Sequence, residues 1–257
     1  MARVFITGSS DGLGRLAGEL LLSQGHEVVW HARNAARADE MAERLPAGAA
    51  VTIGDLSSLA QMRAVAEQVN RMGVFDAVIH NVGVGYLEPR RVETADGWPL
   101  LFAVNVMAPY VLTALIDRPK RLVYLSSGMH LGVSAHLDDT LWTRRRWEGA
   151  EAYAESKLHD ALLAFAIARH WPAVQANAVD PGWVPTRMGG LSAPDDLDLG
   201  CRTQAWLAVS DEAAACVSGK YFYHLQQQDA NPEARRSDLQ DRLIALCAHY
   251  CGIALPD

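Results

Sequence analysis

Long apolar runs are missing from this chain of 257 residues, and so is any excess of positive charge. No stretch is long enough to span a bilayer, which sets a transmembrane protein aside. Asp and Glu number 30 against 23 Lys and Arg, giving a formal net charge of −7. That balance argues against a general binder of nucleic acid or anionic membranes, so neither partner is expected. Cysteine is scarce: Cys201, Cys216, Cys247 and Cys251 all fall in the C-terminal quarter. They have neither the CxxC spacing of a zinc site nor the density of a secreted disulfide scaffold, and no metal is expected. Cys247 and Cys251, four apart, read as two buried reduced thiols on one helix. The N-terminus enters a strand-like Val4-Phe5-Ile6 almost at once, leaving no room for a signal peptide. Linkers, repeats and low-complexity segments are also absent. The expectation is a reduced, cytoplasmic, soluble protein forming one domain over residues 1–257.

What is present is alternation. Strand-like runs at Ala2–Thr7, Glu27–His31, Ala50–Gly54, Phe75–His80, Arg121–Leu125 and Val174–Val179 are each followed by a helical pattern. A helix near Gly200–Val209, a short strand at Lys220–Tyr223 and an amphipathic helix near Ala234–Tyr250 complete the chain. The pattern predicts an α/β fold, a Rossmann-type doubly wound parallel sheet of about seven strands with helices on both faces. Polar residues gather just past the strand ends, where such sheets bind ligands.

The first strand ends in Thr7-Gly8-Ser9-Ser10-Asp11-Gly12-Leu13-Gly14, and a helical pattern follows. A strand, then glycines, then a helix N-terminus suits a pyrophosphate: the backbone approaches closely, and free N–H groups and the helix dipole favour the anion. The same turn also occurs with no ligand, and its G-x-x-x-G-x-G spacing differs from the common dinucleotide fingerprint. After the second strand an NAD site of this kind places Asp or Glu against the ribose 2′-hydroxyl. Here the residues are His31-Ala32-Arg33-Asn34, with no carboxylate. An arginine at that point suits a 2′-phosphate, so NADP (NADPH) is favoured, with NAD the alternative. Asp11, where a second basic residue would help, counts on the other side. Asp55-Leu56 follows the third strand; its carboxylate suits either an adenine amino group or the cap of the next helix.

Ala150–His170 has no proline and reads as a helix carrying Tyr153-Ala154-Glu155-Ser156-Lys157. At i and i+4 the phenol and the ammonium share a face, and the positive charge is expected to lower the phenol pKa. Asn105 lies in an apolar stretch and needs a defined partner there. Ser126-Ser127 ends one strand, and Asp180-Pro181-Gly182 begins just past another. The connection Gly128–Gly149 holds Trp142, Trp147 and Arg144-Arg145-Arg146, the arginines reading as a solvated surface.

This ordered set resembles the short-chain dehydrogenase/reductase family from Arg3 to about Tyr223, and within it the retinol-dehydrogenase-like and carbonyl-reductase-like members. The resemblance implies that Thr7–Gly14 is the cofactor loop, with Asp55 and Leu56 beside the adenine. It matches Asn81-Val82-Gly83 to the family's Asn-Ala-Gly, with Val82 a departure. Pro181, Gly182, Val184 and Thr186 match the segment that closes over nicotinamide. Asn105, Ser127, Tyr153 and Lys157 match the catalytic tetrad: Tyr153 the proton donor, Ser127 bonding the substrate oxygen, Lys157 bonding the nicotinamide ribose and Asn105 holding a relay water. The implied function is an NADP-dependent oxidoreductase acting on an apolar or aromatic aldehyde, ketone or secondary alcohol. A catalytically silent dinucleotide-sensing regulator of the same fold is the alternative. The long serine-to-tyrosine connection, an insertion at about 128–149, and a segment at about 187–210 are expected to shape the small-molecule pocket. The tryptophans read equally as pocket walls or as packing. Monomer and homodimer both stay open.

Overall fold

The computed structural model describes all 257 residues. Val4, Phe5 and Ile6 are buried because β1 (Arg3–Ile6) runs through the middle of a sheet covered on both faces. Beside it lie β2 (Glu27–Ala32) and then β3 (Val51–Ile53). On its other side follow β4 (Ala77–His80), β5 (Arg121–Leu125), β6 (Gln175–Asp180), β7 (Tyr221–Tyr223) and β8 (Gln226–Gln228). Register is parallel from β3 to β7, with Val4 opposite both Val28 and Ala77, and Leu122 opposite Ala176. The order β3-β2-β1-β4 makes the chain reverse its winding between β1 and β4, opening a crevice at the carboxyl ends of the strands.

Two cores close the faces. On one, α1 (Gly12–Ser23) and α7 (Leu197–Val209) bury Ala17, Leu21, Cys201 and Ala205 against the sheet. On the other lie α3 (Leu59–Arg71), α6 (Gly149–His170) and α8 (Ser237–Cys251), contributing Met62, Val65, Leu158, Leu162 and Leu243. A segment joining α4 (Leu100–Phe102) to α5 (Ala108–Leu115) packs with them through Val106 and Val111. The remaining helix, α2 (Ala35–Ala42), flanks the β2–β3 edge and buries Met41 alone. No helix is long and apolar enough to cross a membrane.

The sheet has eight strands rather than about seven. β8 pairs antiparallel with β7, and its three glutamines are exposed at the sheet edge, so no apolar alternation marks it. Its hairpin turn is made by His224 and Leu225 at φ 46° and 67°, without the Asn or Gly that usually signals such a turn.

The arginine run also differs from expectation. Asp139, buried in the insertion, accepts the main-chain N–H groups of Thr143 at 2.8 Å and Arg145 at 3.1 Å. Arg145 bonds the buried Glu155 of α6 at 2.9 Å and lies 4.0 Å from the Trp142 ring centre. Arg145 therefore fastens the insertion to α6, and only its neighbours Arg144 and Arg146 are solvated.

Candidate active site

The loop between β1 and α1 is shaped by contacts to the end of β4. Gly8 adopts φ 62°, and a Cβ there would lie 2.9 Å from Val82 Cα. A Cβ on Gly14 would lie 2.4 Å from Asn81 Nδ2, so both positions require glycine. Asn81 Nδ2 donates to the carbonyls of Thr7 at 3.0 Å and Gly8 at 3.1 Å. Thr7 Oγ1 accepts the N–H groups of Asn81 and Val82, each at 3.0 Å. Ser9 donates to Ile6 O at 2.9 Å and accepts His31 N–H at 2.8 Å. The side chains of Thr7 and Ser9 are thus spent on the loop itself. Asp11 caps α1 by accepting Gly12 N–H at 2.8 Å.

His31 has a part the sequence did not assign. Its Nδ1 accepts Gly8 N–H at 3.0 Å and its Nε2 lies 2.9 Å from Gly54 O, so the proton resides on Nε2. The ring ties the glycine loop to the end of β3. Burial lowers its pKa to about 4. Burial likewise lowers His80 to about 3 and His159 to about 4. A histidine depressed on folding binds fewer protons folded than unfolded, so it costs stability as pH falls below the unfolded value of about 6.5 toward the folded one. Each contributes a loss on the order of 2 kcal/mol by pH 5. Calorimetry is expected to show the midpoint temperature falling from pH 7 to pH 5; a flat profile would mean that these rings are not buried neutral.

Several other predicted residues serve the frame. Asn34 caps α2, accepting Arg37 N–H at 3.0 Å. Asp55 accepts Ser57 N–H at 2.9 Å, closing a turn ahead of α3 rather than capping it, and remains partly accessible. Leu56 has its side chain in the core. Arg33 is exposed just past β2 and makes no ion pair.

At the ends of β1, β4 and β5 runs a cleft of about 510 Å³ lined by Gly8, Gly12, Asn81, Gly83, Tyr153 and Thr186 among others; Arg33, Asn34, Asp55 and Leu56 do not border it. The glycine loop that side chains would fill and the α1 N-terminus open onto it, which fits an extended dinucleotide.

Tyr153 and Lys157 do share one face of α6, with the ammonium 5.7 Å from the phenol ring centre. Lys157 Nζ donates to Leu125 O at 2.7 Å and to Asp160 Oδ2 at 2.9 Å, all within the protein. Asp160, one turn on, is a partner the sequence reading missed; its i+3 spacing was the available signal. The expected fall in the Tyr153 pKa is not what the structure gives. Burial raises it, and Lys157 and the adjacent Ser127 hydroxyl pull it down without overcoming that. Burial opposes the Lys157 charge, but Asp160 and Tyr153 outweigh it and hold its pKa above the ordinary value. Burial raises Asp160 while Lys157 pulls the other way.

Asn105 finds the partners its burial demands. It sits in a π-helical turn, Ala103–Met107, between α4 and α5. Its Oδ1 accepts Val84 N–H at 2.8 Å, and its Nδ2 donates to Ser156 Oγ at 3.0 Å and Val84 O at 3.2 Å. Asn105 therefore bridges the β4 loop to α6 beside Lys157.

A second cavity of about 460 Å³ adjoins the cleft, bordered by Ser127, Met129, Tyr153, Asp180, Trp183 and Met188. Pro181, Gly182, Val184 and Thr186 also line it, as do Gly128 and Met129 at the insertion start and Met188 and Gly189 after Thr186. Trp142 and Trp147 do not border it. They pack 5.4 Å apart in a cluster with Leu101, Ala152 and Tyr153, and Trp147 Nε1 donates to Glu88 O at 2.9 Å. Packing is their role, behind the tyrosine.

The short chain dehydrogenase family model matches residues 2–196. An uncharacterized oxidoreductase of Emericella nidulans is 44% identical over 260 residues, covering 100% of this chain and 99% of that protein. Human retinol dehydrogenase 13 is 28% identical over 285 residues, covering 98% of this chain and 85% of that protein. Among solved structures, a protein from Mycobacterium paratuberculosis superposes with a TM-score of 0.86 at 24% identity, covering 100% of this chain and 96% of that one.

Proposed function

Given that the chain belongs to the short-chain dehydrogenase/reductase family of NAD(P)-dependent oxidoreductases, we propose that it transfers hydride between NADP(H) and a carbonyl or alcohol carbon on a predominantly apolar small molecule. The observation that carries this reading is that Tyr153 borders both the dinucleotide cleft and the adjoining cavity. A proton donor at that junction can reach a substrate oxygen in the cavity while hydride would come from the cleft; its raised pKa keeps the phenol protonated at neutral pH. Bound in the cleft, the dinucleotide supplies the hydride. Tyr153 gives its proton to the oxygen as negative charge develops, and Ser127 donates a hydrogen bond to the same atom. Lys157, kept charged by Asp160 and Tyr153, limits the rise in the phenol pKa and lines the cleft, where its ammonium would hold a bound dinucleotide. Asn105 fixes the β4 loop against α6 so that these groups keep their spacing. The apolar walls, Met129, Trp183, Val184 and Met188, support an apolar or aromatic substrate.

Choice of NADP over NAD rests on Arg33, exposed, unpaired and without a neighbouring carboxylate at the end of β2. Asp11, the residue counting against it, has Arg187 at 3.7 Å to offset its charge. Fluorescence titration is expected to give NADPH at least about tenfold tighter than NADH, since a charge-assisted contact contributes roughly 1.5–3 kcal/mol. Arg33→Ala should bring the two constants together. Tighter NADH binding by the unaltered protein would remove the role given to Arg33.

The reading as a silent dinucleotide sensor leaves the buried Tyr153–Lys157–Asp160 arrangement without a purpose. It predicts binding of NADPH with no turnover across a panel of aldehydes, ketones, quinones and secondary alcohols.

A further inference from the structure

The second cavity holds one charged side chain, Asp180, among walls that are otherwise apolar, hydroxyl-bearing or glycine. Asp180 ends β6 and is 9% exposed. A buried carboxylate is costly unless it is bonded, and this one is oriented on both oxygens. Oδ1 accepts Gly182 N–H at 2.8 Å, and Oδ2 accepts the Tyr221 hydroxyl at 3.2 Å. Two donors leave about half of a carboxylate's acceptor positions unfilled. No cation offsets the charge: none of the ion pairs in the molecule involves Asp180. Gly128 keeps the approach open, since a Cβ there would stand 3.0 Å from Oδ2. Asp180 and Tyr153 line the same cavity, as does Ser127.

We propose that Asp180 is a specificity residue that accepts a hydrogen bond from an O–H or N–H group carried next to the reacting carbonyl. The substrate class is then an apolar ketone or aldehyde with a neighbouring hydroxyl or amide N–H. This deepens the oxidoreductase reading and rests on it. The geometry gives the preference a direction. With the carbonyl oxygen between Tyr153 and Ser127, an adjacent donor falls toward the end of β6, where Asp180 is the acceptor. A substrate lacking the donor leaves the carboxylate buried and short of partners, and one offering an ether oxygen there sets two acceptors against each other.

The test compares α-hydroxyacetophenone and α-acetamidoacetophenone with α-methoxyacetophenone and acetophenone, in the unaltered enzyme and in Asp180→Asn. Asparagine keeps an oxygen for Gly182 N–H but turns the other site into a donor. The expected result is kcat/KM at least about tenfold higher for the hydroxy compound than for its methoxy ether, from a charge-assisted bond. That ratio should fall to near one in Asp180→Asn. A ratio retained in the variant, whether or not overall activity drops, would overturn the proposal and leave Asp180 a turn cap. Fluorescence titration with the same four compounds keeps the two readings apart. Donor-dependent binding that Asp180→Asn abolishes, without turnover, supports the Asp180 site and counts against the oxidoreductase reading. Turnover without donor preference does the reverse. Comparing the hydroxy and acetamido compounds tells an O–H donor from an N–H donor.

Discussion

Tyr153→Phe is expected to cut turnover by about 10²–10⁴-fold, the usual worth of a positioned general acid, while leaving NADPH binding close to that of the unaltered protein. The substitution removes only the phenol oxygen. The ring stays in its cluster with Leu101, Trp142 and Ala152, and in edge contact with Tyr86 at 5.8 Å between centres, so folding should survive. Two measurements decide it: steady-state rates of carbonyl reduction and fluorescence titration with NADPH. Substantial residual activity with intact binding would move the proton donor to another residue. A pH signature accompanies this. The Tyr153 pKa is raised, so the phenol is protonated across neutral pH and reduction needs no prior titration. Alcohol oxidation requires the deprotonated form, so its rate should climb toward alkaline pH and show no neutral optimum.

Asp160→Leu is expected to destabilise the protein by roughly 3–5 kcal/mol, the cost of leaving a buried charge without its partner. Lys157 and Asp160 are both almost fully enclosed, with side chains 5% and 3% exposed, and the ammonium keeps only Leu125 O once the carboxylate is gone. The double variant Lys157→Met, Asp160→Leu should recover most of the loss, because an apolar pair of similar volume no longer holds an isolated charge. Urea unfolding of the unaltered protein, Lys157→Met, Asp160→Leu and the double variant gives the coupling directly. If Asp160→Leu were as stable as the unaltered chain, Lys157 would not be held by this pair. The double variant should be inactive however stable it is, which separates the ammonium's proposed part in chemistry from its part in folding.

The extent to which the sequence could be read varied with how local each interaction is. Gly8, Gly14 and Asn81 were visible because a strand–glycine–helix turn leaves a fixed trace in chain order, and Tyr153 and Lys157 because i and i+4 share a helix face. Asp160 obeys the same spacing rule. Yet its charge matters only because burial removes water from both partners, and burial is not written at one position. His31 was seen only as the absence of a carboxylate. Its two bonds, to Gly8 and Gly54, join three strand ends that are far apart in the chain. For the same reason the bonds of Thr7, Ser9 and Asn34, whose side chains close turns and cap a helix, were not legible. Arg145 looked solvated in a run of three until the fold brought Glu155 and Trp142 to it.

By itself the sequence determined the alternating strands and helices, the family, and the Tyr153–Lys157 pair, since these follow from periodicity and from spacing within one element. Tertiary structure alone decided that the phenol pKa rises, because desolvation depends on everything packed around α6 and exceeds the pull of one lysine four residues away. It also decided that Trp142 and Trp147 brace Tyr153 from behind and that Asp180 faces the space in front of it. A side chain's position in the sequence carries no information about which side of a distant residue it reaches until the sheet order is set.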